Sequence, residues 1–127
     1  MPAGFGNPPS GESASTTALS QTLGGFGYPR PQLVRGRWHS LNGPWDFSFD
    51  TDGEWREPDE VAWSSTILVP YAPETQRSGL GHTGFFQACW YRRIAPVPAL
   101  AAGEHLLLHF GAVDYVATVW VNGTRVA

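Results

Sequence analysis

"PWDFSFD", residues 44–50, places Trp45, Phe47 and Phe49 on one side of an extended chain and Asp46, Ser48 and Asp50 on the other. Side chains alternate across a strand with a period of two, so this stretch predicts a half-buried β-strand. The segments around it read the same way. "TILVP" (66–70) is a short apolar run stopped by Pro70. "FFQACWYRRI" (85–94) is aromatic and alternating, "HLLLHF" (105–110) is strand-like, and "YVATVWV" (115–121) is rich in β-branched residues. The last of these ends at Asn122-Gly123, a strong hairpin signal, because both central positions of a type I′ turn need positive φ. Turn clusters separate the strands: "DTDGE" (50–54), "PYAPE" (70–74) and "PVPALAAG" (96–103). No stretch carries a convincing helical period. Short strands at irregular spacing with long loops predict an all-β fold, an antiparallel β-sandwich of the jelly-roll kind. Five or six strands are legible where a jelly roll uses about eight, so the sandwich is expected to be incomplete at its C-terminus.

Composition narrows the function. Residues 1–27 are rich in Gly, Pro, Ser and Thr, with Glu12 the only charged side chain. Such a segment buries too little apolar surface to offset its ordering entropy, so 1–27 is expected to be a flexible tail before a domain over 28–127. A net charge of −3 offers no electrostatic footprint for nucleic acid or an anionic membrane. No apolar run is long enough to span a bilayer, and no signal peptide opens the chain, so a cytoplasmic location is expected. The single cysteine, Cys89, rules out an internal disulfide and reads as a buried, unreactive thiol.

Several motifs tempt and fail. Gly79, Gly81 and Gly84 in "SGLGHTGFF" (78–86) have the spacing G-x-G-x-x-G. A dinucleotide loop must open a helix, whereas Gly84 opens onto a strand sequence. The kinase version needs a downstream lysine, and the chain has none. His105 and His109 would share one face of a strand about 13 Å apart, too far to hold one ion, so no metal or cofactor is expected. Asn122-Gly123-Thr124 is formally a glycosylation sequon but reads as hairpin turn residues. The carboxylates Asp50, Asp52, Glu54, Glu57, Asp59 and Glu60 sit in turns, and Asp114 reads as a turn or capping group. Trp45, Trp90 and Trp120 fall in strand patterns and are expected in the core. Trp38, Trp55 and Trp63 flank turns, where an exposed ring would suit the C–H face of a sugar.

The segments together resemble a known family. "RPQLVRGRWHSLNGPWDFSFD" (30–50), "ILVPYAPET" (67–75), "CWYRR" (89–93) and "LLLHFGAVDYVATVWVNGTRVA" (106–127) are similar, in order and spacing, to the N-terminal sugar-binding domain of glycoside hydrolase family 2. The family includes β-galactosidases and β-glucuronidases. The resemblance implies a jelly-roll, galactose-binding-domain-like module that packs on a catalytic barrel. The family's catalytic glutamates lie in that barrel, so no catalytic residue carries over to this chain. It also implies that the connection over 71–88 reaches toward a sugar pocket for a β-galactoside or β-glucuronide. Arg77 and His82 are then the candidate substrate-loop residues, beside Gln76 and Gln87. The rival expectation is a free-standing, lectin-like carbohydrate-binding module.

Overall fold

Phe47 sits at the middle of the alternating stretch, and the sheet forms around it. In the computed structural model, which describes residues 37–127, strand β1 (Gly43–Asp50) is flanked on both sides. The tail expected over 1–27 lies outside the described residues. Strand β2 (Ser65–Val69) pairs antiparallel to β1 on one edge, and β3 (Ala88–Arg92) pairs antiparallel on the other. The register sets Trp45 opposite Ile67, Phe47 between Ser65 and Tyr91, and Phe49 opposite Cys89. These residues share one face. Phe47 and Ile67 are both 0% exposed, and the Phe47 ring meets Phe49 at 4.7 Å and Tyr91 at 4.9 Å in edge-to-face geometry. Edge-to-face pairs add about 0.5–1.5 kcal/mol beyond the area they bury, so the Phe47 ring ties β1 to β3.

The opposite face departs from the sequence expectation. A half-buried strand should leave its polar side in water, yet Ser48 is 1% and Asp50 5% exposed. The segment after β1 folds back over them and supplies partners. Ser48 Oγ donates to the Ala62 carbonyl at 2.7 Å and accepts from the Ser64 amide at 2.9 Å. The Asp50 carboxylate accepts from the amides of Glu54 at 2.8 Å and Trp55 at 3.1 Å, and from the Trp90 indole at 3.4 Å. Burial pushes the Asp50 carboxyl up. The hydrogen bonds from Glu54, Trp55, Trp90 and the Gly53 backbone outweigh it and hold the group below its ordinary value.

The second sheet is a hairpin of β4 (Trp120–Val121) and β5 (Thr124–Arg125). Its turn carries Asn122 at φ 49° and Gly123 at φ 78°, the positive values a two-residue turn demands. Beyond the ladder, the amides of Val126 and Val119 each donate at 2.8 Å, to the carbonyls of Val119 and Ala127. Trp120 stacks on Trp90 with ring centroids 5.1 Å apart, which brings the two sheets together.

The fold is all-β with antiparallel pairing throughout the described residues, a partial β-sandwich whose only helical pieces are two single 3₁₀ turns. Among the described residues no helix is long and apolar enough to cross a membrane. Three strand expectations need correction. The strand expected over 85–94 is confined to Ala88–Arg92, because Phe85 is 85% exposed and Phe86 turns inward onto Phe49. Residues 105–110 form no strand, and of 115–121 only Trp120 and Val121 are laddered. Alternation makes a segment fit for a sheet, but a ladder exists only where its amides meet a neighbouring strand. Leu106, Leu107 and Tyr115 accordingly remain 58%, 60% and 92% exposed.

Two substitutions test this frame. Phe47→Ala should lower unfolding free energy by about 3–5 kcal/mol in a urea titration. Asp50→Asn should destabilise the chain most near neutral pH. A carboxyl whose folded value is lowered contributes stability above its unfolded value, and loses it as pH falls through the folded one. In urea titrations across acidic pH, the gap between the parent and Asp50→Asn should therefore close below the ordinary value of 3.8.

Candidate functional site

Between β2 and β3 the chain makes the long connection that carries Arg77 and His82. Its first half is bonded to itself around Ser78, which is 1% exposed. Ser78 Oγ donates to the Thr75 carbonyl at 2.7 Å and accepts from the Leu80 amide at 3.1 Å. A 3₁₀ turn over Gln76–Ser78 is capped by Thr75, whose hydroxyl accepts from the Ser78 amide at 3.3 Å and donates to the Ala72 carbonyl at 2.9 Å. Gly79 ends the turn at φ 88°. Gly81, at φ 58°, donates from its amide to the Thr75 carbonyl at 3.3 Å, and a Cβ there would stand 2.5 Å from Gln76 Nε2. These two glycines serve the turn itself, and Gly84 leads toward β3 instead of a helix. The phosphate-loop reading finds no structural support.

The two candidate residues occupy different surroundings. The Arg77 guanidinium lies over the Tyr71 ring, 5.8 Å from its centroid, and its side chain is exposed to solvent. His82 turns inward. Its amide donates to the Pro73 carbonyl at 2.9 Å, its ring lies 4.2 Å from that of Phe49, and Phe86 covers it at 5.9 Å. His82 Nε2 is buried without a hydrogen-bond partner, and the Cβ position of Gly84 lies 2.8 Å from it. The loop is thereby fastened to the core through the same Phe49 that packs on Phe47. Sequence reasoning singled out His82 for its donor; its ring contacts with Phe49 and Phe86 depend on neighbours 33 residues earlier and 4 residues later, which spacing alone does not disclose.

A second polar cluster lies on the other face of the sheet, and sequence reasoning missed it. Arg92 pairs with Asp46 across the β1–β3 ladder at 2.8 Å and lays its guanidinium 4.5 Å from the Trp63 ring centroid. The sequence shows only one acidic and one basic residue in two strand-like segments; the register that sets Asp46 opposite Arg92 appears in the fold alone. Arg93, one residue on, donates to the Pro44 carbonyl. On the core side, burial pushes the Cys89 thiol up and the neighbouring Tyr91 hydroxyl well above its usual range. That is the direction of an unreactive thiol. Among the described residues no group of three His, Cys, Asp or Glu side chains could hold a metal ion.

Comparison with known proteins adds what this geometry alone leaves open. The chain is 33% identical over 117 residues to a β-glucuronidase of Felis catus, covering 82% of this chain and 18% of that protein. A β-glucuronidase of Canis lupus familiaris is 32% identical over the same length, and one of Paenibacillus borealis 33% over 107 residues. The chain belongs to glycoside hydrolase family 2. This family member spans less than a fifth of the length of the relatives it matches, 18% of the feline protein and 17% of the bacterial one. No protein-family profile and no solved structure matches it.

The Ser78 knot makes a direct prediction for this family 2 loop. Ser78→Ala removes a donor and acceptor from a buried position, which costs about 1–3 kcal/mol of local stability. Trypsin should then cut after Arg77 several-fold faster than in the parent chain, followed by mass spectrometry of the digest.

Proposed function

We propose that this chain is the non-catalytic, sugar-side module of a β-glucuronidase-type glycoside hydrolase. The observation that carries the reading is the match to three β-glucuronidases over about four-fifths of this chain and less than a fifth of theirs. In a retaining mechanism two carboxyls flank the glycosidic bond, one of them an acid whose pKa is raised. The displaced carboxyls here go the other way. Asp50 is held down by its hydrogen bonds, Glu60 by the amides of Arg56 and Glu57, and Glu104 by the Ala101 amide and Arg37. The chemistry then belongs to a barrel on which this module packs, and the substrate is a β-glucuronide, with a β-galactoside as the second choice.

Within the module, the 71–88 connection is the part assigned to the sugar. Arg77 offers the donors, since its side chain faces solvent and has no carboxylate partner among the described residues. An arginine suits the carboxylate of a glucuronide through paired N–H donors. His82 joins that contact only if its ring leaves Phe49; in the packed position it holds the loop in place. The lectin-like alternative rests on Trp63 and its half-buried ring, which is occupied here by Arg92.

The purified chain should give no release of nitrophenol from nitrophenyl β-glucuronide or β-galactoside, and no saturable quenching of tryptophan fluorescence by glucuronate or galactose. Turnover at enzyme-like rates would overturn the reading. Saturable quenching without turnover would replace it with the lectin-like one.

A further inference from the structure

The sequence contains two Asn-Gly pairs in opposite circumstances. Asn42-Gly43 opens β1: Gly43 is buried, lies in the ladder opposite Val69, and Asn42 donates its amide to Ser40 Oγ at 3.2 Å. Asn122-Gly123 is the tip of the β4–β5 hairpin, and both residues are exposed. No heavy atom beyond the adjoining residues lies within 4 Å of the Cβ position of Gly123, so the side of the turn is open to solvent. The Asn122 carboxamide makes no hydrogen bond among the described residues. Two-residue strands and the two backbone bonds at Val119 hold this turn, a short exposed element of the kind that opens locally before the core does.

We propose that Asn122 is a site of spontaneous deamidation, and that the product loosens the contact between the two sheets. The Gly123 amide nitrogen, losing its proton to base, attacks Asn122 Cγ. The new C–N bond closes a five-membered imide, and the side-chain nitrogen departs as ammonia. Water then opens the ring. Attack at Cγ yields aspartate, and attack at the α-carbonyl yields isoaspartate; the net change is amide plus water to carboxyl plus ammonia. Glycine at the second position favours closure because no Cβ obstructs the approaching nitrogen. Isoaspartate adds a methylene to the backbone of a turn whose length fixes the register of its strands. The pairing of Trp120 with Arg125 then slips, and Trp120 leaves its stack on Trp90.

The two pairs provide an internal control. Trypsin releases 38–56 and 94–125, each holding one asparagine and no glutamine, so an amide-to-acid mass change in either peptide reports one residue. After incubation of the full chain in mildly alkaline buffer, 94–125 should convert several-fold faster than 38–56, gain one negative charge per chain, and accept methyl groups from an isoaspartyl methyltransferase. The exciton couplet of the stacked tryptophans in far-ultraviolet circular dichroism should decline in step. Asn122→Gly keeps a turn-competent Gly-Gly pair and should retain the couplet with no conversion of 94–125. Equal or slower conversion of 94–125 relative to 38–56 would overturn the assignment. A couplet that survives isoaspartate formation would overturn its structural consequence.

Discussion

A buried carboxylate at the end of β1 connects nearly every part of the described structure. Asp50 receives two amides from the turn that follows it and one indole from β3. That indole belongs to Trp90, whose ring also stacks on that of Trp120 in the second sheet. A charge this well buried is tolerated only when its lone pairs are filled, because the desolvation cost otherwise exceeds what the fold can offset. The requirement runs in one direction: the turn must close, and β3 must stand in register, for Asp50 to be satisfied. Phe47, fully buried, packs β1 against β3 on one face. Asp50 holds the layers together on the other.

The distinction explains what the sequence discloses and what it hides. β1, β2 and the Asn122-Gly123 hairpin are legible because alternation and turn chemistry are local properties. The burial of Ser48 and Asp50 is not, since alternation records polarity and says nothing of a carbonyl 14 residues away at Ala62 or an indole 40 residues away at Trp90. The segments 105–110 and 115–118 show the opposite failure. Their composition is fit for strands, but pairing is a property of two segments, and neither is laddered here. In the 71–88 connection, glycine spacing suggested a ligand loop, whereas Gly79 and Gly81 satisfy the geometry of a capped turn built around Ser78. Arg77 and His82 were both singled out from sequence as donors. Only the packing on Phe49 separates the arginine that faces solvent from the histidine that is tucked beneath.

The proposed sugar contact and the physical reading meet at that connection. The loop is fastened by the Thr75 and Ser78 hydrogen bonds of its 3₁₀ turn and by His82 on Phe49, so Arg77, inside that capped turn, is presented from a fixed base. Preorganisation of this kind lowers the ordering cost of any contact the loop makes with a ligand or a neighbouring domain. It also means that the core and the candidate site are not separable: Phe49 takes part in both.

The claim that Asp50 and the tryptophan stack act as one unit is best tested by a double-mutant cycle on unfolding free energy. Asp50→Asn, Trp120→Ala and the double variant are compared with the parent chain. Coupling through Trp90 predicts that the double variant loses less than the sum of the single losses, with an interaction energy of about 0.5–3 kcal/mol. Losses that simply add would show that the carboxylate and the second sheet are independent, and would contradict the account.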